Sequence, residues 1–264
     1  MTGRAHLLTG STGIGAAAAG QLVADGERVF VVSRTAGHAT ALLASFAASD
    51  RAGSFQADLT IEDEAEAAVA AAVGRFGRLD GLLSVAGGSG RRFGDGPIHE
   101  LTAEGWDRTI ELNLRSQAMV SRAVVGRMLE QPRNDDGERG AIVLVSSVLA
   151  AHPVPGLFAT HAYAAAKGAI VALATAMAAT YADAGIRVNV VAPGLTDTPM
   201  AERAAADPAT AAFARRKQPL AGGIVDPADV ARAACFLLSP AARAITGQVL
   251  AVDGGWSVVS AVPE

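Results

Sequence analysis

The stretch Thr9-Gly10-Ser11-Thr12-Gly13-Ile14-Gly15 lies between a short apolar run and an alanine-rich segment. Glycines at a strand-to-helix turn let the backbone bend tightly and approach a pyrophosphate at the helix N-terminus, where free N–H groups point towards the anion. A turn without a ligand needs only one glycine, whereas this turn has three. The stretch therefore predicts a dinucleotide-binding βαβ unit at the start of the chain.

Short β-branched runs alternate with longer alanine-rich segments along the chain, which predicts right-handed βαβ units. Several runs are almost wholly apolar, as strands covered on both faces must be. The predicted fold is α/β, a doubly wound Rossmann fold with a seven-stranded parallel sheet and helices on both faces. The predicted strands are His6–Leu8, Val29–Ser33, Ser54–Ala57, Leu82–Val85, Ile142–Ser146, Val188–Val191 and Val249–Val252. The predicted helices are Ala16–Ala24, Thr40–Ser49, Glu62–Arg75, Glu104–Leu129, Ala162–Ala182 and Pro227–Leu238.

The composition is typical of a soluble globular protein, with half of the 264 residues hydrophobic and 18% charged. A net charge of −4 disfavours binding to nucleic acid. The single cysteine, Cys235, excludes an intrachain disulfide and fits a reducing compartment, so a cytoplasmic location is expected. The N-terminus has no long apolar region of the signal-peptide type, and the alanine-rich segment Ala162–Ala182 contains Lys167, which favours a packed helix over a membrane span. No linker divides the chain, which predicts a single domain over residues 1–264.

The second predicted strand ends at Val32-Ser33-Arg34, where the residue type bears on the choice of cofactor. An acidic residue there would accept hydrogen bonds from the adenine ribose hydroxyls of NAD. Here a serine is followed by an arginine, and a guanidinium suits the 2′-phosphate of NADP. The expected cofactor is therefore NADP, with NAD as the alternative. The competing interpretation of Arg34 is a solvated surface side chain.

Tyr163 and Lys167 lie one helical turn apart on the same face of a predicted helix. A phenol with a pKa of about 10 is a poor acid–base catalyst at neutral pH. An adjacent ammonium favours the phenolate and lowers that pKa, so that the tyrosine can exchange a proton with an alcohol or carbonyl oxygen. The strand before this helix ends in Ser146-Ser147, whose hydroxyls are expected at the carboxyl edge of the sheet, where ligands bind.

The ordered set of motifs resembles the compact, single-domain branch of the short-chain dehydrogenase/reductase family, including its 3-oxoacyl reductases, over nearly the whole chain. The matching segments are the turn Thr9–Gly15, Asp58-Leu59, Ala86-Gly87, Asn113, Ser147, Tyr163, Lys167, Pro193-Gly194, Thr196, Thr198 and Val252-Asp253-Gly254-Gly255.

The resemblance implies an NAD(P)-dependent oxidoreductase that interconverts a ketone or aldehyde and an alcohol by hydride transfer. It implies that Ser147 polarises the substrate oxygen and that Tyr163 transfers the proton. Lys167 would lower the tyrosine pKa and bind the nicotinamide ribose, and Asn113 would hold a water that links Lys167 to solvent. A homotetramer or homodimer, built through the long helices and the last strand, is also implied. The implied cofactor contacts are Gly10, Thr12, Gly13, Ile14, Ser33, Arg34, Asp58, Leu59, Ala86, Gly87, Tyr163, Lys167, Pro193, Gly194, Thr196 and Thr198.

Three features depart from the family pattern. The glycine turn is one residue short and also fits the spacing of the extended, sugar-nucleotide branch and the general dinucleotide pattern, so the phosphate-binding N–H groups stay open. The family's Asn-Asn-Ala-Gly motif reads Ser84-Val85-Ala86-Gly87. The segment from Ser147 to Tyr163 is longer than usual, with the surplus in His152–His161, and Ser146 is the alternative serine.

The segment of about residues 195–223 is expected to form a lid over a largely apolar substrate. Arg91-Arg92 and Arg215-Arg216-Lys217 are interpreted mainly as surface residues, with contact to an anionic substrate as the alternative. The five histidines show no metal-ligand spacing, so no metal site is expected. Two other functions stay open: an NAD(P)-using epimerase or isomerase of the extended branch, and a non-catalytic cofactor sensor.

Overall fold

The sheet has seven parallel strands, as predicted. The structure is a computed structural model that describes residues 3–46 and 49–260. The strands are β1 (Ala5–Thr9), β2 (Arg28–Ser33), β3 (Ala52–Gln56), β4 (Gly81–Ser84), β5 (Gly140–Val145), β6 (Ile186–Pro193) and β7 (Val249–Val252). Their order in the sheet is β3-β2-β1-β4-β5-β6-β7, so the chain order reverses between β1 and β4, which is the switch point at which doubly wound sheets bind ligands.

Helices connect the strands and cover both faces of the sheet. They are α1 (Gly13–Ala24), α2 (Ala36–Ala44), α3 (Glu62–Phe76), α4 (Ala103–Ile110), α5 (Ser116–Glu130), α6 (His161–Tyr181), α7 (Glu202–Ala206), α8 (Pro208–Lys217) and α9 (Pro227–Leu238).

Three parts of the helix prediction differ from the structure. The helix predicted over Thr40–Ser49 is α2, which begins earlier and ends at Ala44, while residues 47 and 48 lie outside the described part of the chain. The helix predicted over Glu104–Leu129 consists of α4 and α5 joined by a π-helical turn, Glu111–Arg115. The short helices α7 and α8 inside the expected lid were not predicted.

The core consists of two layers because alternate residues of each strand point to opposite faces of the sheet. Leu7, Leu82 and Ile142 pair side by side across the sheet and pack towards α3, α5 and α6. The next residues along the same strands, such as Leu8 and Leu83, pack towards α1 and α9. These side chains are fully buried, so both helix layers are fixed firmly against the sheet.

Helix α6 is, within residues 3–46 and 49–260, the one helix long and apolar enough by length and composition to span a membrane. In the structure it packs against β6, and its residues Ile170 and Ala174 belong to the core. Its N-terminal end lies beside the carboxyl ends of β4 and β5. The fold therefore brings the start of α6 to the ligand-binding edge of the sheet.

Candidate active site

The glycine turn places the start of α1 at the carboxyl edge of β1. Gly10 and Gly13 have φ angles of +95° and +53°, which side chains rarely allow. Thr12 is the N-cap residue of α1, and its side chain accepts no hydrogen bond from the first N–H groups of the helix. A Cβ at Gly15 would overlap the carbonyl oxygen of Gly10. Gly10 thus makes the turn, Gly13 opens the helix and Gly15 allows the first turn of α1 to pack closely against the end of β1.

A cavity of about 280 Å³ extends from this turn across the ends of β2 and β3. It brings together eight of the predicted cofactor residues: Gly10, Thr12, Ser33, Arg34, Asp58, Leu59, Ala86 and Gly87. The sequence interpretation missed further lining residues, which are neighbours of those motifs or lie on α2, α5 and the π-helical turn: Ser11, Val32, Thr35, His38, Ala57, Thr60, Leu112 and Ser116.

The rim of this cavity carries opposite charges. Arg34 is exposed at the end of β2, and Ser11 Oγ donates a hydrogen bond to Ser33 Oγ at 3.0 Å, which joins the turn to that strand. Burial acts to raise the pKa of Asp58, but hydrogen bonds from Thr60 and the nearby guanidinium groups of Arg34 and Arg108 hold it below its usual value. Asp58 is therefore ionised at neutral pH and can accept hydrogen bonds from a ligand.

A second cavity of about 190 Å³ continues from the first and shares Gly10, Thr12, Ala86 and Gly87 with it. The two form one elongated cleft along the carboxyl edge of the sheet, which fits a two-part ligand such as a nicotinamide dinucleotide. The predicted residues that line the second cavity include Gly13, Ile14, Ser147, Tyr163, Lys167, Pro193, Thr196 and Thr198. Ser146, the alternative serine, and Pro199 and Met200 of the expected lid also line it, and Val85 and Val145 were not predicted.

Tyr163 and Lys167 meet at this cavity, as their spacing on α6 predicts. The Lys167 Nζ atom lies 5.5 Å from the centre of the Tyr163 ring and donates a hydrogen bond to the Val145 carbonyl at 2.9 Å. Ser147 follows β5 and also lines the cavity. The neighbouring Ser146 is buried, and its hydroxyl donates to the Lys167 carbonyl oxygen at 2.7 Å. Ser146 thus anchors α6 to β5, while Ser147 keeps its hydroxyl at the cavity.

The protonation of the pair differs from the sequence-based expectation. Burial raises the pKa of Tyr163 to about 12, although a hydrogen bond with the Ser147 hydroxyl acts in the other direction. Burial also lowers the pKa of Lys167 to about 7. The expected lowering of the phenol pKa by an adjacent ammonium is therefore absent here, because the same burial that surrounds the phenol also disfavours the charged amine. The phenol is held in its protonated form, which is the form that donates a proton.

Asn113 does not line either cavity but lies directly behind Gly87. Its side chain is fully buried, and its Nδ2 donates to the carbonyl oxygens of Gly88 and Thr109 at 2.9 Å each. Its Oδ1 accepts from the Gly88 N–H at 3.2 Å. A Cβ at Gly87 would lie 2.6 Å from Asn113 Oδ1 and 3.7 Å from Lys167 Nζ. The π-helical turn thus places the Asn113 side-chain amide between the carboxyl end of β4 and Lys167.

The loss of the two motif asparagines before Ala86 does not leave this segment without hydrogen bonds. Thr9 Oγ1 accepts from the N–H groups of Val85 and Ala86 at 2.9 Å each. A single threonine at the end of β1 therefore holds the backbone that follows β4.

The segment expected to form the lid, residues 195–223 (the lid segment), is held at its base by Gln218, a residue that the sequence interpretation missed. Gln218 is fully buried, accepts from the Leu195 N–H at 2.7 Å and donates to the carbonyl oxygens of Leu195 and Gly223. Gly194, a predicted cofactor contact, does not line either cavity. A side chain there would overlap Gln218 Oε1, so the glycine accommodates this clasp of hydrogen bonds.

The basic clusters and histidines have other neighbours in the structure. Arg91 donates to the Leu157 carbonyl at 2.9 Å, while Arg215 and Arg216 are exposed on α8. His152 accepts the Trp256 indole N–H at its carbonyl oxygen. In the parts of the chain that the structure describes, no group of three or more His, Cys, Asp or Glu side chains could hold a metal ion.

A family model described as "Enoyl-(Acyl carrier protein) reductase" matches residues 9–257. With the parallel sheet and the Ser147, Tyr163 and Lys167 site, this match shows that the chain belongs to the short-chain dehydrogenase/reductase family. It is an NAD(P)-dependent oxidoreductase that acts on CH–OH groups.

Individual relatives cover nearly the whole chain. The cis-4-hydroxycyclohexanecarboxylate dehydrogenase of Sinomonas cyclohexanicum is 37% identical over 97% of this chain and 97% of its own length. The 2-(S)-hydroxypropyl-CoM dehydrogenase 3 of Xanthobacter autotrophicus is 36% identical over 95% of this chain and 94% of its own. The solved 3-ketoacyl-(acyl-carrier-protein) reductase from Brucella melitensis, complexed with NADH, is 30% identical, with a TM-score of 0.85 over 97% of this chain and 99% of that one.

Proposed function

We propose that the protein is an NADP-preferring reductase of small, largely apolar ketones or aldehydes, with Tyr163 as the proton donor. The observation that carries the proposal is the meeting of Ser147, Tyr163 and Lys167 at one end of a cleft that runs past the glycine turn to the ends of β2 and β3. The reduced cofactor, NADPH, would supply the hydride when it is bound in such a cleft.

The roles of the chain's own residues follow from their positions. Ser147 would donate a hydrogen bond to the substrate oxygen, and Tyr163, whose pKa is about 12, would give its proton to the alkoxide that develops there. Lys167 would bind the nicotinamide ribose and regain its proton when a negative charge forms next to it. Asn113 would orient the backbone beside Lys167 and hold a water that leads to solvent.

The cleft offers groups for each part of the cofactor. The N–H groups at Thr12, Gly13 and Ile14 would meet the pyrophosphate at the start of α1. Asp58 and Leu59 would contact the adenine, and Ser33 with Arg34 would take the 2′-phosphate. Ala86, Gly87, Pro193, Thr196 and Thr198 would surround the nicotinamide half, while Gly10 would allow the turn to approach and Gly194 would act through Gln218.

The central test uses two matched tyrosine variants. Tyr163→Phe should reduce turnover by about 10²- to 10⁴-fold, the usual contribution of a positioned acid, while NADPH still binds. Tyr181→Phe is the control, since it changes the other tyrosine of the chain at the far end of the same helix. The measurement is NADPH oxidation with a ketone panel that begins with cyclohexanone, and alcohol oxidation with cis-4-hydroxycyclohexanecarboxylate.

Near-normal turnover in Tyr163→Phe would refute the assignment of the proton donor. Tight NADPH binding by the wild-type protein without turnover of any compound in a broad panel would favour the sensor hypothesis instead. Product inversion at a carbinol carbon without net NADPH consumption would favour an epimerase.

The cofactor preference is tested at Arg34. Arg34→Asp should weaken NADPH binding by roughly tenfold or more, because a charge-assisted hydrogen bond to the phosphate is worth about 1.5–3 kcal/mol. NADH binding should change far less. Arg92→Ala is the control, since Arg92 lines the neighbouring recess beside Asp58. Equal losses of NADPH and NADH affinity in Arg34→Asp would contradict the preference.

The proposal includes one domain over residues 1–264, a cytoplasmic location and a homotetramer or homodimer. The edge strand β7 exposes Val249 and Leu250, apolar side chains that a second copy of the chain would cover. Light scattering of the wild type and of Leu250→Glu tests the assembly. A monomeric wild type, or an unchanged mass in the variant, would contradict assembly through this strand.

A further inference from the structure

Asp95 is a buried carboxylate in the loop between β4 and α4, and it meets the N-terminus of the helix that carries Tyr163. Only 6% of Asp95 is exposed. Its Oδ1 accepts from the Ala162 N–H and its Oδ2 from the Tyr163 N–H, both at 3.0 Å. The residue that precedes α6, Thr160, makes no side-chain capping hydrogen bond. The cap of α6 therefore comes from a residue 67 positions earlier in the chain.

The loop around Asp95 is shaped for this contact. Gly94 has a φ of +102°, and the Asp95 N–H donates to the Gly90 carbonyl at 3.2 Å. A Cβ at Gly90 would overlap the Thr109 side chain and lie 2.9 Å from the Asp95 Cβ. Only a residue without a side chain at position 90 lets the loop fold this closely over α4. The loop thus holds the carboxylate in a fixed place.

Two more hydrogen bonds join the same loop to the segment before Tyr163. The Gly96 carbonyl accepts from the His161 N–H at 3.2 Å. Arg91 donates to the Leu157 carbonyl at 2.9 Å. Hydrogen bonds from the β4–α4 loop therefore hold the segment from Ser147 to Tyr163 at two places, at Leu157 before α6 and in the first turn of α6.

We propose that Asp95 is a positioning residue that fixes the Tyr163 phenol relative to Ser147 and Lys167. The first N–H groups of a helix have no partner within it, and the two satisfied by Asp95 belong to Tyr163 itself and to the residue before it. A carboxylate that caps both N–H groups fixes the rotation of the first turn of α6 about the helix axis and its position along that axis. Since a misplacement of about 1 Å can cost about 10²-fold in rate, the cap acts on turnover through the tyrosine.

The inference rests on the proposed function, and the test compares two buried aspartates. Asp95→Asn replaces one acceptor oxygen by an amino group, which faces an N–H and cannot accept from it. Asp80→Asn is the matched control. Asp80 is also 6% exposed and accepts a backbone hydrogen bond, from Ala5 at 2.9 Å, but it lies at the start of β4 on the opposite edge of the sheet.

We expect Asp95→Asn to lower kcat about 10- to 100-fold while the dissociation constant of NADPH stays within about twofold. Amide hydrogen exchange at Ala162 and Tyr163 should become faster in the same variant. Asp80→Asn should lower the unfolding temperature and keep kcat within about twofold. Should Asp95→Asn fail to fold, Asp95→Ser, which places no amino group against the helix N–H groups, replaces it in the same comparison.

Two results would overturn the inference. One is a wild-type kcat in a folded Asp95 variant, and the other is a loss of kcat that is proportional to the drop in unfolding temperature in both aspartate variants. Failure of the proposed function looks different. In that case the wild type and Tyr163→Phe would be equally inactive, while amide exchange at Ala162 and Tyr163 would still show whether Asp95 caps the helix.

Discussion

The burial of the Lys167 amine is expected to lower the free energy of unfolding of the protein, and Lys167→Met tests this directly. The lysine is 3% exposed, and burial lowers its pKa from 10.5 to about 7. Below pH 7 the folded protein therefore contains a buried ammonium that the unfolded chain would keep in water. Each pKa unit corresponds to about 1.4 kcal/mol, so this burial costs about 5 kcal/mol of folding free energy at pH 6.

The cost depends on pH in a defined direction. Between pH 7 and 10.5 the unfolded chain binds the lysine proton and the folded protein does not, so the free energy of unfolding rises with pH. By pH 9.5 the cost falls to about 1 kcal/mol. Methionine has a similar volume and no charge. It loses the hydrogen bond to the Val145 carbonyl, worth about 1 kcal/mol, but that carbonyl keeps a second donor, Gln117 Nε2 at 3.0 Å.

We therefore expect Lys167→Met to increase the free energy of unfolding by roughly 4 kcal/mol at pH 6 and by about zero at pH 9.5. Urea denaturation of the cofactor-free wild type and variant at both pH values measures this. Comparing the two proteins at each pH cancels the titration of all other groups. Parallel pH dependence of the two proteins would show that Lys167 is not a buried group with a lowered pKa, and the reasoning would fail.

Two further predictions concern the parts that surround the site. Trp256→Ala should lower the free energy of unfolding by about 3–5 kcal/mol, because Trp256 is 1% exposed and packs edge-on against Phe158 and Phe213. The control Trp106→Ala removes a side chain that is 42% exposed and should change this free energy far less. Urea denaturation measures both. Gln218→Ala should make the lid segment more sensitive to limited trypsin digestion than the wild type, since three backbone groups at its base lose their partner; an unchanged digestion pattern would contradict the role of Gln218.

The fold could be predicted because its signals are local. The strands are buried on both faces, so runs such as Ile142–Val145 are wholly apolar in the sequence, and the glycine turn marks where β1 meets α1. The lid helices were missed although Asp207-Pro208 is the same N-cap and proline signal that correctly marks α9 at Asp226-Pro227. Both helices are short, with 5 and 10 residues, so their apolar periodicity is too weak to predict them without that signal.

The site was predictable to the extent that ordered motifs specify it. Eight predicted residues line the first cavity, and Ser147, Tyr163 and Lys167 line the second. The contacts of Asp95 and Gln218 depend on chain segments that only the folded protein brings together, so no local pattern reveals them. The predicted lowering of the Tyr163 pKa was wrong for a similar reason. Burial is a property of the packed structure, whereas the spacing of two residues on a helix shows only that they are neighbours.

The π-helical turn at Glu111–Arg115 has a consequence for how this chain tolerates insertions and deletions. The Ser116 N–H bonds to the Glu111 carbonyl, five residues back, so the turn holds one residue more than a regular α-helix would. A one-residue deletion elsewhere in a helix rotates every later side chain by about 100°. A deletion inside this turn would instead leave a regular helix with the buried sides of α4 and α5 still facing the core, while the residues of the turn itself, Asn113 among them, would be displaced. The length of this segment, and not only its residue types, therefore determines where the Asn113 amide lies beside Gly87.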